Sequence, residues 1–448
     1  MSQKRTFRLA SLGCKVNQYE TQYALELLES NGYRQAEPRE RADLCLVNTC
    51  TVTQEADAQG RQLIRRLARE NPGTALIVTG CYATREPETI ARLPGVVKVV
   101  ADKNRLADEL HEFGVERRPA GISRFDGHQR AFVKVQDGCL LNCSFCIIPR
   151  VRPFLRSRSV EEICAEIGRL VASGYREMVL TGIHLGHYGI DFSRGKPREQ
   201  WRRLWHLLDA LGQLPGEFRI RLSSLEAAEV RDDLVRAMAH NPRVCPHLHL
   251  CLQSGSDRIL ALMNRRYRSA GFLERCRRLR QVLDRPAFTT DVIVGFPGET
   301  EADFEATCRV VREVGFVKIH VFPYSRRRGT PAADLPDPVP PPVVAERRQR
   351  LAALEHEMAS AYLRSLVGRQ LEVLVEGADR QQLDLARGTS CRHVPVAFQG
   401  WLPALLGSLV PIRITAVADG LLLGRPESIV EKERFALPLA PIPNSCGT

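Results

Sequence analysis

Along the first 115 residues, short unbroken apolar runs take turns with longer runs of helical period. Thr6 to Leu12, Leu44 to Thr49 and Ala75 to Thr79 read as strands, and Gln18 to Ser30 and Glu55 to Glu70 read as amphipathic helices. Asn31-Gly32 supplies a turn after the first helix, and Asn71-Pro72-Gly73 stops the second before the third strand. This pattern predicts an open α/β domain. From Gln129 a second series opens, with strands over Ala131 to Gln136, Met178 to Gly182, Phe218 to Ser223, His247 to Gln253, Phe288 to Gly295 and Val317 to Tyr324. Helices separate them. Ser159 with Glu162 spells a capping box ahead of one, and Thr300 with Asp303 resembles another before Phe304 to Val314, closed by Gly315. Repeated strand-helix units imply parallel strands with right-handed crossovers, a barrel or part barrel with active residues at the carboxyl ends of its strands.

The stretch DLPDPVPPP from Asp334 to Pro342 is a stiff break, followed by a long helix over Val344 to Leu366 carrying Arg347, Arg348 and Arg350. Short strands then follow at Leu371 to Glu376, Val394 to Phe398, Val410 to Thr415 and Leu421 to Leu423, as in a small all-β barrel. The expected class is α/β: an open α/β domain at 1–115, a central (β/α)6 part barrel at 128–362, a small all-β barrel at 366–430 and a tail at 431–448. The apolar run Trp401 to Leu406 reads as core of the last barrel.

With 448 residues, about three domains are expected. A chain 44% hydrophobic and 26% charged is not wholly disordered, and no run approaches the roughly 18 apolar residues of a membrane span. The basic start leads into an apolar segment cut short by Gly13, Cys14 and Lys15, too brief for a secretory leader, so a cytoplasmic protein is expected. Lys plus Arg (64) exceed Asp plus Glu (52) by 12, which makes a polyanionic partner plausible. Arg65 and Arg66, then Arg265, Arg266 and Arg268, then Arg326 to Arg328 are phosphate-fork candidates or solvated faces. No basic amphipathic anchor is visible, so nucleic acid leads over membrane. Fourteen cysteines in a reducing compartment point to metal or catalysis, not to disulfides.

The sharpest chemical signal is Cys139-x3-Cys143-x2-Cys146, directly after a strand. Three close thiolates can hold three irons of a [4Fe–4S] cluster and leave the fourth iron open; the alternative is a structural zinc completed by a distant residue, although zinc ribbons more often show paired C-x2-C knuckles. A second set is dispersed: Cys14, Cys50 and Cys81 each follow one of the first three strands. In an open parallel sheet the carboxyl ends of strands line one crevice, so three cysteines there can converge on one ligand. Any one alone would read as inert packing, and Cys45, inside a strand, reads as core.

Weaker candidates remain. Gly295 to Glu299 lacks the lysine of a phosphate loop and reads as a strand-to-helix turn. His247, His249 and Cys251 share one face of a strand and read as polar lining of the barrel before a metal site; His184, His187 and Tyr188 follow a strand end and either approach substrate or sit in a surface loop. Ser223, Ser224 and Glu226 end a strand, as ligand contacts or as helix caps.

The C-x3-C-x2-C spacing resembles the signature of the radical S-adenosylmethionine superfamily. That resemblance implies that Cys139, Cys143 and Cys146 ligate a cluster whose open iron binds S-adenosylmethionine and cleaves it to a 5′-deoxyadenosyl radical. It also implies that Phe145 packs near the adenine and that Gly182, Ser223 and Glu226 contact the cofactor. Leu12 to Asn17 (LGCKVN), Asn48 to Thr53 (NTCTVT) and Thr79 to Ala83 (TGCYA) are similar to the amino-terminal motifs of methylthiotransferases. The Lys15-Val16-Asn17 and Thr51-Val52-Thr53 continuations resemble the branch acting on N6-threonylcarbamoyladenosine in transfer RNA, whose sister branches usually differ after the first cysteine. Leu180 to His184, Gln253 to Ser256, Asp291 to Glu299 and His320 to Ser325 fit the same branch.

The resemblance implies a second [4Fe–4S] cluster on Cys14, Cys50 and Cys81 that presents the sulfur, with the two clusters facing each other across the domain boundary. It further implies one S-adenosylmethionine for the methyl group and another for the radical, an external electron donor and sulfur source, and no membrane partner. The last barrel resembles the TRAM domain, an RNA-gripping module, with His393 where the family's G-x-[ST]-x-x-Y segment has tyrosine. The rival substrates are isopentenyladenosine RNA and a ribosomal protein; the rival class is a non-catalytic zinc protein that binds RNA.

Overall fold

The computed structural model describes residues 5–379, 385–400 and 402–427. Five parallel strands, β1 (Thr6–Ser11), β2 (Arg34–Gln35), β3 (Leu44–Thr49), β4 (Ala75–Gly80) and β5 (Val96–Val100), form an open sheet in the order β2-β1-β3-β4-β5. The central strand β3 is buried at every position, because apolar clusters cover both faces of the sheet. Helix α1 (Lys15–Ser30) joins β1 to β2, and α2 (Gln54–Glu70) follows β3. The Thr53 hydroxyl caps α2 by accepting from Ala56 N, and Glu55 and Asp57 in its first turn complement the helix dipole. The sequence reading omitted β2 and β5.

The six expected barrel strands are present: β6 (Ala131–Asp137), β8 (Glu177–Gly182), β9 (Arg219–Leu222), β10 (His247–His249), β11 (Ala287–Val294) and β12 (Lys318–Pro323). A two-residue strand, β7 (Arg156–Ser157), pairs antiparallel with the end of β6. The strands β6-β8-β9 and β10-β11-β12 run parallel within their sheets, and the parallel bridges Ile220 to Val244 and Leu225 to Leu250 join the two into one curved part barrel. Both expected capping boxes form with both halves of the exchange, Ser159 with Glu162 and Thr300 with Asp303. The Glu301–Val314 helix ends at Gly315 in the left-handed region, φ +62°. Leu248, Leu250, Leu252, Phe288, Val292 and Val294 join the helix-covered core, which leaves His247, His249 and Thr289 to face the lumen.

After the Pro341–Ser365 helix, strands β13 (Gln370–Ala378), β14 (Leu385–Ser390), β15 (Pro395–Gln399), β16 (Leu409–Ala418) and β17 (Leu421–Pro426) close into a barrel. It docks on the amino-terminal ends of the part-barrel strands. Arg219 donates to the carbonyls of Glu372 (2.8 Å) and Thr389 (2.8 Å), and Arg221 donates to those of Ser390 (3.0 Å) and Cys391 (3.1 Å). Glu177, fully buried, accepts from both guanidinium groups, and their charge holds its carboxyl well below the ordinary range against the opposing effect of burial. The run after residue 400 is not the core element expected: Leu402 and Leu405 are half-buried against the barrel and Leu406 is exposed, because a short helix lies on the barrel rim. Trp401 and the tail from 428 lie outside the described residues. No helix among the described residues is long and apolar enough to cross a membrane.

Candidate active site at the junction of two sheets

The loop leaving β6 carries Cys139, Cys143 and Cys146, all free thiols. Gly138 opens it at φ +77°, where a Cβ would stand 2.2 Å from the Phe154 carbonyl oxygen, so glycine is required. The Gln136 amide donates to the carbonyls of Asp137 (2.7 Å) and Gly138 (2.6 Å), while its oxygen accepts from His184 N (2.9 Å). Gly182 sits against this amide, where a Cβ would come within 2.8 Å of the Gln136 oxygen. Burial pushes the Cys139 thiol up to about 11 and Cys146 to about 12, with the neighbouring thiols adding to both. Arg265 reaches into this set: Nη1 lies 3.2 Å from Cys143 Sγ and Nη2 lies 3.4 Å from Glu226 Oε1.

Beside the thiols is a set of unsatisfied polar atoms. Both carboxylate oxygens of Glu226, the Ser223 hydroxyl and His184 Nε2 are buried and lack hydrogen-bond partners among the described residues. A native interior rarely leaves so many atoms unpaired in one place unless a ligand completes them. Phe145 is half-buried against Ile259, Met263, Ile293 and Phe296.

The second cysteine set stands at the carboxyl ends of β1, β3 and β4. Gly13, at φ +112°, brings the Cys14 turn against Cys50; a Cβ there would lie 2.8 Å from Cys50 Cβ and 3.1 Å from its Sγ. Cys14 is exposed, Cys50 and Cys81 are buried, and Cys45 belongs to the core as expected. Burial pushes Cys50 up to about 11, and Cys81 and Cys14 add to the effect, so the three thiols sense one another's charge.

Arg152 ties the two sets together and had no signal in the sequence. Its side chain is buried, with Nε 3.4 Å from Cys81 Sγ, Nη1 2.8 Å from Asp137 Oδ1, and Nη2 2.8 Å from Glu20 Oε2 and 3.0 Å from Asn17 Oδ1. Lys134 completes the network at 2.6 Å from both Glu20 and Asp137. Ile147 and Val151, just past the third barrel cysteine, pack on Cys81. A second tie comes from Arg327, whose buried guanidinium donates to Thr51 Oγ1 (2.8 Å) and Asp57 Oδ2 (2.7 Å) beside Cys50. Arg265 and Arg327 are therefore internal ion-pair residues and not phosphate forks, whereas Arg65, Arg66, Arg266, Arg268, Arg326 and Arg328 are exposed.

Two groups among the described residues bring three donor atoms within 4.8 Å, His184-His187-Glu229 and His249-Cys251-Asp291, and neither cysteine triplet is among them. His249 Nε2 lies 3.2 Å from Asp291; burial opposes its charge, but Asp291 and Cys251 outweigh burial and push it up to about 10. His247 instead pairs with Thr289 at 3.1 Å, and burial beside Arg221 holds it well below the ordinary range. His187 is buried, accepts from Leu140 N (3.4 Å) and is lowered to about 3 by burial and by His184. Tyr188 does not approach the site: it is fully buried and donates to the Arg158 carbonyl at 2.9 Å. The Gly295 to Glu299 turn is closed on itself, with Glu299 accepting from Gly295 N and Arg347, both at 2.7 Å.

The model of the Uncharacterized protein family UPF0004 matches residues 6–102, and that of the Radical SAM superfamily matches residues 133–311. The chain is 40% identical over 424 residues to the threonylcarbamoyladenosine tRNA methylthiotransferase MtaB of Chlamydia pneumoniae, covering 94% of this chain and 98% of that protein. It is 37% identical over 446 residues to a tRNA-2-methylthio-N(6)-dimethylallyladenosine synthase of a Nocardioides species, covering 93% and 89%. The fold is shared with the radical S-adenosylmethionine methyltransferase TsrM of Kitasatospora setae, solved with cobalamin and a [4Fe–4S] cluster, at TM-score 0.52 and 13% identity over 74% of each chain. Two cysteine-bearing sheets, tied together through Arg152 and matched along nearly the whole chain by relatives named for tRNA methylthiolation, place the chain in the MtaB-like radical S-adenosylmethionine methylthiotransferase family of transferases.

Proposed function

We propose that the protein converts N6-threonylcarbamoyladenosine at position 37 of transfer RNA, next to the anticodon, into its 2-methylthio derivative. The observation that carries this reading is the pair of cysteine triplets at the carboxyl ends of strands in two sheets, held against each other through Arg152. Cys139, Cys143 and Cys146 would hold one [4Fe–4S] cluster, and Cys14, Cys50 and Cys81 a second. Together with S-adenosylmethionine these groups supply radical generation at the first site and sulfur at the second.

The chain's own residues bind and orient. Glu226 and Ser223 offer oxygens without hydrogen-bond partners to the amino and hydroxyl groups of the cofactor, Phe145 offers an apolar face to its adenine, and Arg265, ion-paired with Glu226, supplies positive charge beside Cys143. Gly182 lets Gln136 brace the cysteine loop. An external electron donor and an external sulfur source are required. The unit limits 1–115, 128–362 and 366–430, RNA gripping by the last barrel, and action in the cytoplasm belong to the same proposal. The relative at 40% identity is named for threonylcarbamoyladenosine and supports this substrate, while relatives named for dimethylallyladenosine reach 38%.

The test is nucleoside mass spectrometry of transfer RNA after anaerobic incubation with iron-reconstituted protein, S-adenosylmethionine and a reductant. A 2-methylthio product from the threonylcarbamoyl nucleoside is expected. Product only from isopentenyladenosine RNA, or 5′-deoxyadenosine with no modified nucleoside, would move the substrate elsewhere. Zinc without acid-labile sulfide would overturn the catalytic reading.

A further inference from the structure

We infer that the Lys15 ammonium receives the carboxylate of the threonylcarbamoyl group, and so selects an acid-bearing adenosine over a hydrocarbon-bearing one. This rests on the substrate reading above. A cavity of about 590 Å³ opens where the part barrel meets the Pro341–Ser365 helix and the last barrel, lined by Lys15 together with Arg221, His247, His249, Lys318 and Glu355. Its charged members other than Lys15 already have partners: Arg221 has Glu177 at 2.9 Å, Lys318 has Glu355 at 2.6 Å and His249 has Asp291 at 3.2 Å. Lys15 has none: it is exposed, lines the cavity, makes no hydrogen bond or ion pair among the described residues, and stands 6.0 Å from the Phe132 ring centre. Asp291 and Glu177 are near Lys15 but are already paired with His249 and with Arg130 and Arg221, so an anion that a ligand brings is what complements its ammonium.

A second observation points the same way. His247 is 4% exposed, and its Nδ1 has no partner although Nε2 is held by Thr289. A threonylcarbamoyl group carries a carboxylate, a hydroxyl and ureido N–H and C=O groups, which match a cation and an unsatisfied ring nitrogen. A dimethylallyl group offers neither and would leave both unpaired. The position also fits, because Lys15 follows Cys14, so an anion on Lys15 lies one residue from the sulfur-presenting set.

The experiment measures binding of anticodon stem-loop RNA to the reconstituted protein by fluorescence anisotropy, without turnover. One RNA carries threonylcarbamoyladenosine and the other its neutral carboxamide. Wild-type protein should prefer the acid by roughly tenfold or more, the size of one charge-assisted hydrogen bond. Lys15→Met should erase that preference while keeping wild-type iron content, and Lys15→Arg should keep most of it. Equal binding of acid and amide by the wild type, or an undiminished preference in Lys15→Met, overturns the inference. The wild-type comparison decides even if the methionine variant fails to fold. Failure of the substrate reading looks different: the wild type would then methylthiolate dimethylallyladenosine RNA and leave threonylcarbamoyladenosine unmodified.

Discussion

Replacing Arg152 with Met should loosen the seam between the two cysteine-bearing sheets by an amount the structure allows to be worked out. The side chain is buried and touches Glu20, Asp137, Asn17 and Cys81. Burial alone would raise the Glu20 carboxyl, but the charges of Arg152 and then Lys134 outweigh it and hold the group down to about 2 from an ordinary 4.5. A depression of that size corresponds to about 3 kcal/mol of stability, which agrees with the cost of about 3–5 kcal/mol for breaking a buried ion pair. Lys134 stays behind, so about 3 kcal/mol is the fair expectation, or roughly a hundredfold in the opening equilibrium.

Hydrogen exchange of iron-free protein, followed by mass spectrometry on the peptide spanning Leu12 and Gln18, reads this, since both amides are hydrogen-bonded within the amino-terminal unit on either side of Asn17, which Arg152 holds. The sign with pH follows from a depressed carboxyl: its contribution is complete above the ordinary value of 4.5 and is lost as pH falls toward 2. The ratio of exchange rates between variant and wild type should therefore be roughly a hundred at neutral pH and fall below about ten near pH 3. A ratio near one at neutral pH, or one that does not shrink on acidification, would refute the electrostatic account of the seam.

Other outcomes follow from the same structure. Cys143→Ala should abolish 5′-deoxyadenosine formation, whereas Cys50→Ala should retain it and yield no methylthio nucleoside, as chromatography and nucleoside mass spectrometry would show. Gly127→Ala, at φ +75° with nothing within 4 Å, should cost about 1–2 kcal/mol in thermal unfolding. Gly138→Ala should cost clearly more and impair iron uptake, because its Cβ would meet the Phe154 carbonyl. Glu177→Gln should destabilise by about 3–5 kcal/mol and expose the C-terminal barrel to limited proteolysis, because three arginines lose their shared carboxylate.

Much of the architecture was legible in the sequence where local chemistry states it outright. Ser159 with Glu162 and Thr300 with Asp303 mark helix starts whatever the tertiary context, and the barrel strands are compact apolar runs between such marks. Strand β14 escaped because Leu385–Ser390 (LARGTS) has no alternating pattern; it is a strand because its backbone pairs with β13 and β15, and Gly388 has no side chain to hold it off the Leu374 carbonyl. The C-x3-C-x2-C loop was legible because its ligands are contiguous. Arg152 was not, since its partners at 17, 20, 81 and 137 are scattered along the chain and meet only once two sheets have docked. Arg265 and Arg327 misled for the same reason: a run of arginines looks alike whether it faces solvent or closes an interior ion pair.

The docking of the C-terminal barrel has an evolutionary consequence. Arg219 and Arg221 grip main-chain oxygens of residues 372, 389, 390 and 391, and every amino acid supplies such an oxygen. These four bonds ask nothing of the side chains at the gripped positions, although Arg219 also meets the Glu372 carboxylate at 3.4 Å and Arg392 pairs with Asp284 at 3.1 Å. Substitutions at 372, 389, 390 and 391 that leave the main chain in place leave these four bonds intact. A module mounted this way can change the side chains it presents to solvent and keep its main-chain attachment to the part barrel.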